Sequence, residues 1–175
     1  MNKPALLAMM VALSVSTDYA LIGIPNVKVM DMVVFLSGIW MGPAWGAAAG
    51  ALTWMVYGTV NPYGFNLLIF LTVVPMEMLY GVLGGLLRRR ALLPGIENAW
   101  AFGMVGLGAT LAYDLVTNAV TGYFFSPNVL AGIIGGIFPF SVLHILSNFL
   151  LFMVVAPIAV VEADRSFFRR LHNLV

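Results

Sequence analysis

The chain has 175 residues, 62% of them hydrophobic and 9% charged, with a formal net charge of +1 and a mean hydropathy of +1.01. An ordinary soluble domain does not have that balance, and the near-neutral charge argues against a polyanionic partner such as nucleic acid. Cysteine is absent, which excludes disulfide frameworks and thiolate metal sites.

A helix that crosses a bilayer takes about 20 residues, so the chain has room for roughly six crossings and short loops. One transmembrane domain over residues 1–175 is expected. The first apolar run, Pro4 to Ile24, ends at Pro25 and Asn26. Its start, Lys3 followed by Pro4 to Ser16, has the charge and apolarity of a secretory signal. The apolar stretch continues to Ile24 with no clean cleavage site, however, and reads as a span. Val29 to Val60 is too long for one span and is punctuated by Gly42 and Pro43, a pair suited to a tight turn into a new helix. That gives a short helix over Val29 to Met41 and a second over Pro43 to Tyr57.

Thr59 to Gly64 reads as a loop, followed by a span from Phe65 to Leu87 that Arg88, Arg89 and Arg90 stop. The next span runs from Ala99 to Tyr123, where Ser126, Pro127 and Asn128 break the chain. In the last stretch, Val129 to Val161, the residues Gly132, Gly135, Gly136 and Pro139 make the first part a loop or short helix at the outer surface. The final span then begins near Pro139 and ends near Val161. The expected fold is an all-α integral membrane protein, a compact bundle of six transmembrane helices.

Lysine and arginine orient it. With the N-terminus in the cytoplasm, Lys3, Arg88, Arg89, Arg90, Arg165, Arg169 and Arg170 fall inside and only Lys28 falls outside, as the positive-inside rule requires. Both termini are expected in the cytoplasm, in a multi-pass protein of the plasma membrane.

Asp18, Glu77, Asp114 and His144 sit inside the apolar runs. A carboxylate near the bilayer centre costs about 2.5 to 3.5 kcal/mol on insertion scales, so these residues mark a polar site. At about 1.5 Å per helical residue, Asp18, Asn118, Asp114, Glu77, His144 and Asn148 all lie within about three turns of the outer ends of their spans. Asp114 and Asn118 are i and i+4, and so are His144 and Asn148. Together with Tyr57, an aromatic residue beside the outer loop, they form the candidate substrate-binding set: Asp18, Tyr57, Glu77, Asp114, Asn118, His144 and Asn148. Its acidic character favours a ligand with a cationic or donor-rich ring.

No HExxH, GxSxG, glycine-rich phosphate loop or carboxylate cluster for a magnesium diphosphate is present. No catalytic residue, metal or cofactor is expected. Small residues recur at four-residue intervals, as Ala8 and Ala12, as Gly42, Gly46 and Gly50, and as Gly81 and Gly85, a spacing that lets helix backbones approach closely.

The stretch Ile24 to Gly58, with Gly42, Pro43, Gly46 and Gly50 in a GPxxGxxxG turn, resembles the second and third helices of substrate-binding S components of energy-coupling factor (ECF) vitamin transporters. The resemblance implies an outward-facing pocket for a vitamin or precursor, closed by an outer loop at Gly23 to Lys28. It also implies a docking face at Ala8 and Ala12 for the membrane-embedded ECF T component, with separate ATPases supplying energy. Two other readings stand beside it: a non-transporting scaffold similar to the rod-shape protein MreD, and a small intramembrane enzyme using Glu77, Asp114 and His144.

Overall fold

The computed structural model describes residues 2–60, 62, 64–89 and 98–172, with side chains omitted at 89 and 164–172. Of the residues discussed above, 61 and 63 in the Thr59 to Gly64 loop, Arg90 and the side chains of Arg89, Arg165, Arg169 and Arg170 lie outside what is described. Among the described residues, seven α-helices follow in chain order: α1 (Lys3–Ala20), α2 (Met30–Met41), α3 (Pro43–Val60), α4 (Leu67–Arg89), α5 (Ala99–Phe125), α6 (Val129–Gly136) and α7 (Val142–His172). No strand occurs among the described residues.

Among the described residues, three stretches are long and apolar enough to cross a membrane: Leu67–Arg88, Ala99–Phe125 and Val129–Ala163, the last joining α6 and α7. The 18-residue α1 and α3 are diluted by small and polar residues. The 12 residues of α2 reach only about 18 Å, less than the roughly 30 Å of a hydrocarbon core. α2 is instead the centre of the molecule. Every residue from Met30 to Ile39 is buried, and α1, α3, α4 and α7 all pack against it. A helix that is apolar all round belongs in such a position.

The turn from α2 to α3 depends on Gly42, whose φ of +100° lies where side chains are disfavoured. Directly after it, α3 runs back against α4 at very close range. A Cβ on Gly81 would strike the backbone of Gly46, and one on Gly50 would sit 2.8 Å from the Glu77 carbonyl carbon. The glycine repeats of α3 and α4 therefore serve internal packing. Ala8 and Ala12, by contrast, are exposed on α1. At the opposite end of α2 from Asp31, Lys3 Nζ donates to the Met41 carbonyl at 3.0 Å, placing a cation at the negative end of the helix dipole.

The end of α1 and both ends of α7 differ from expectation, and of the loop or short helix expected after Asn128 the helix forms. α1 stops at Ala20 rather than Ile24, and Leu21 to Val29 forms the connection to α2. Val129–Gly136 is helical, capped by the Asn128 side chain accepting from Ala131 N at 2.8 Å. A π-helical turn, Ile137–Ser141, with Phe138 in extended conformation, then leads into α7, which continues past Val161 to His172.

Candidate binding site

The helix ends that meet at one face are the C-termini of α1, α3 and α5 and the N-termini of α2, α4 and α7. Two cavities lie there. The larger, about 670 Å³, is walled by the α1–α2 connection (Leu21 to Lys28), by Asp18, Trp54, Tyr57 and Ile69, and by residues 64–66 and Phe140. The smaller, about 460 Å³, is bounded by α5 and α6 through Tyr113, Asp114, Thr117, Asn118 and Gly132. Asn26, Lys28, Trp54, Ile69 and Phe140 line both, so the two share a wall. These volumes are in the range of small-molecule sites, roughly 300 to 1,000 Å³.

The α1–α2 connection is anchored at two points. Asp18 Oδ1 accepts from the backbone N–H groups of Val29 and Met30, both at 3.1 Å. These are donors at the start of α2 that have no partner within that helix, and a carboxylate at the positive end of the dipole suits them. Asn26, in left-handed conformation with φ of 54°, donates through Nδ2 to the Phe140 carbonyl at 3.1 Å and latches the connection to the π-helical turn. Asparagine tolerates that backbone region better than most residues.

Beneath the cavities runs a buried polar network joining α2, α3, α4, α5 and α7. His144 Nδ1 is 2.9 Å from Asp114 Oδ1 and Nε2 is 2.7 Å from Asp31 Oδ2. Those two hydrogen bonds need two protons among the three groups, because a carboxylate only accepts. Asn148 Nδ2 donates to Asp31 Oδ2 and to Thr110 Oγ1, the latter at 2.8 Å, and Tyr80 donates to Thr110 Oγ1 at 2.9 Å. The Trp54 indole N–H donates to Glu77 Oε2 at 3.1 Å. Glu77 also lies close enough to Asp31 for the two carboxyls to interact electrostatically. Two carboxyls so close repel unless a proton or another cation lies near them.

Several acceptors in this network lack donors. Asp31 Oδ1, Glu77 Oε1, Asp114 Oδ2 and Asn148 Oδ1 are buried with no hydrogen-bond partner among the described residues. Buried polar groups are normally paired, so four unpaired acceptors in one cluster, with the Tyr113 hydroxyl also unpaired beside them, are unusual. No group of three or more metal-ligating side chains is arranged around a metal position among the described residues.

The sequence-expected residues thus separate into two layers. Asp18 and Tyr57 line the larger cavity; Asp114 and Asn118 line the smaller, with Asn118 donating to Ser141 Oγ at 3.0 Å. Glu77, His144 and Asn148 are wholly buried and line neither cavity. They are occupied instead in holding Trp54, Asp31 and Asp114. Compared with known proteins, the chain matches no family model, no curated protein and no solved structure.

Sequence reasoning missed Asp31, Lys28, Trp54 and Tyr113. Asp31, which the sequence reading left out altogether, is the hub of the network and fully buried. Its signal was its setting, a single carboxylate in Met30–Met41 among residues otherwise apolar or small. Lys28 carried a different signal as the one basic residue on the wrong side of the charge asymmetry. Its ammonium turns inward, 4.7 Å from the Trp54 ring centroid and 5.6 Å from that of Tyr113.

Proposed function

We propose that the chain is a membrane-embedded substrate-binding subunit for uptake of a small vitamin-like solute, built as six spans with both termini cytoplasmic and energised by a separate ATPase and T component. The observation that carries this reading is the pair of adjoining cavities under the Leu21–Val29 connection, walled by Asp18, Trp54, Tyr57 and Asp114 above a buried polar floor with unpaired groups. A scaffold without a ligand has no use for unfilled volume of about 670 Å³ beside buried carboxylates, and packing would tend to fill it.

The exposed Ala8 and Ala12 fit a docking face for the T component, since small residues on an exposed helix face leave room for a partner helix. An enzyme reading fares less well. Both ring nitrogens of His144 are taken by carboxylates, which leaves neither for a substrate. Native mass spectrometry of the purified protein tests the proposal: a defined small molecule at up to one per chain is expected. An empty protein that also fails to take up any vitamin when expressed with ECF modules would overturn it.

A further inference from the structure

We propose that the Lys28 ammonium is a tethered occupant of a subsite for an organic cation, and that a ligand bearing a flat cationic ring displaces it from the faces of Trp54 and Tyr113. The inference rests on reading the two cavities as a solute site, and it names the chemical class of that solute.

Lys28 Nζ lies 4.7 Å from the centroid of Trp54 on α3 and 5.6 Å from that of Tyr113 on α5. Cations within about 6 Å of an aromatic face are attracted by its quadrupole, and tryptophan is the strongest such partner. The ammonium donates no hydrogen bond to any described residue; it is held by the two rings and by the charges of Asp18, Asp31 and Glu77, attractions that another cation in the same place would also receive. Trp54 is itself fixed, its N–H tied to the buried Glu77. Tyr113 is buried and packs edge-on to His144 at 5.6 Å between centroids. The rings are a preformed platform, whereas the four-carbon lysine stem is flexible.

Charge decides which kind of ligand replaces it. Four carboxyls, those of Asp18, Asp31, Glu77 and Asp114, surround the site, against two basic groups, Lys28 and His144. Withdrawing the ammonium takes one positive charge away from these carboxyls, which an incoming cation restores and an incoming anion does not. Asp114 Oδ2, on the wall of the smaller cavity and without a hydrogen-bond partner among the described residues, is placed to accept from such a ligand.

Lys28 lies on the wall that the two cavities share, so withdrawing its side chain opens the space into which the ligand enters. The ties of the connection at Asp18 and Asn26 involve neither the Lys28 side chain nor its backbone. The ammonium can therefore swing outward without unfastening the loop. While it occupies the rings it competes with the ligand, and apparent affinity is reduced by the fraction of molecules in which the subsite is free.

The test is isothermal titration of the full-length protein in detergent at mildly alkaline pH with N-methylpyridinium, with neutral pyridine and with anionic benzoate. Wild type is expected to bind N-methylpyridinium in preference to the other two. Lys28→Met, which keeps the stem and removes the charge, should bind it about three- to tenfold tighter, and Lys28→Arg no tighter than wild type. Adding Trp54→Leu to Lys28→Met should abolish that gain, with thermal unfolding confirming that each variant is folded. Weaker N-methylpyridinium binding in Lys28→Met, or benzoate binding that depends on Lys28, would overturn the proposal and make Lys28 an anion donor. Absence of N-methylpyridinium binding in both wild type and Lys28→Met would also overturn it. Failure of the uptake reading shows elsewhere, as no copurified solute and no transport, with these titrations unaffected.

Discussion

His144 Nε2 lies 2.7 Å from Asp31 Oδ2, joining the central helix α2 to α7 across 113 positions of sequence. The same ring reaches Asp114 on α5 at 2.9 Å through its other nitrogen. One side chain thus holds two buried carboxylates, and its loss leaves both without their basic partner. Breaking a buried pair by removing one member costs about 3 to 5 kcal/mol. His144→Ala should therefore lower the thermal midpoint in detergent by about 10 °C. A midpoint within about 2 °C of wild type would mean that the cluster does not hold these helices together.

Asp18 acts on the neighbouring segment. It supplies the acceptor for the Val29 and Met30 amides, a service that the cap residue Val29 has no side chain to perform. Asp18→Ala should cost about 1 kcal/mol, the usual loss of a helix cap. Because the lost bonds lie at the base of the cavity-lining connection, hydrogen exchange at Val29 and Met30 should accelerate, while amides in the middle of α2 keep their protection. Uniform acceleration along α2 would point to global destabilisation instead.

The helices were legible because turn chemistry marks their ends. Gly42 and Pro43 place the α2–α3 turn, and Ser126, Pro127 and Asn128 end α5, all local signals. The α1 end was misplaced because Leu21 to Ile24 are as apolar as a helix end; they instead wall a cavity beside Asp18. Asp114 and His144 were readable as a pair by depth. What depth and periodicity do not convey is which polar residue turns inward from a segment edge. Asp31 and Lys28 both sit at the junction of connection and helix, where polar residues are ordinary, and only the packing of α2 against four neighbours makes Asp31 a buried hub.

The proposed orientation makes a direct prediction in a chain that has no native cysteine. Single cysteines at Thr59 and Asn128, both exposed at the cavity end of the molecule, should react with a membrane-impermeant maleimide on intact cells. Cysteines at Asn2 and Asn98, at the other end, should react only after permeabilisation. Labelling of Asn98→Cys from outside would reverse or dismantle the six-span arrangement, because α5 would then begin on the wrong side.

Two sets of small residues that look alike in the sequence should respond oppositely to bulk. Gly46 lies against the Gly81 backbone, where even a Cβ on either residue has no room. Gly46→Leu must separate α3 from α4, a pair that also carries the Trp54 to Glu77 hydrogen bond. It should abolish monodisperse protein in detergent, overpacking with no flexible neighbour to give way being among the most destabilising changes. Ala8 and Ala12 face outward from α1, so Ala8→Trp and Ala12→Trp should leave the thermal midpoint and N-methylpyridinium titration unchanged. If that face docks a T component, either tryptophan should prevent its copurification, since a bulky ring blocks the close helix approach that small residues permit. Retention of the partner at wild-type yield by both variants would assign the alanines to lipid contact and place the docking face elsewhere.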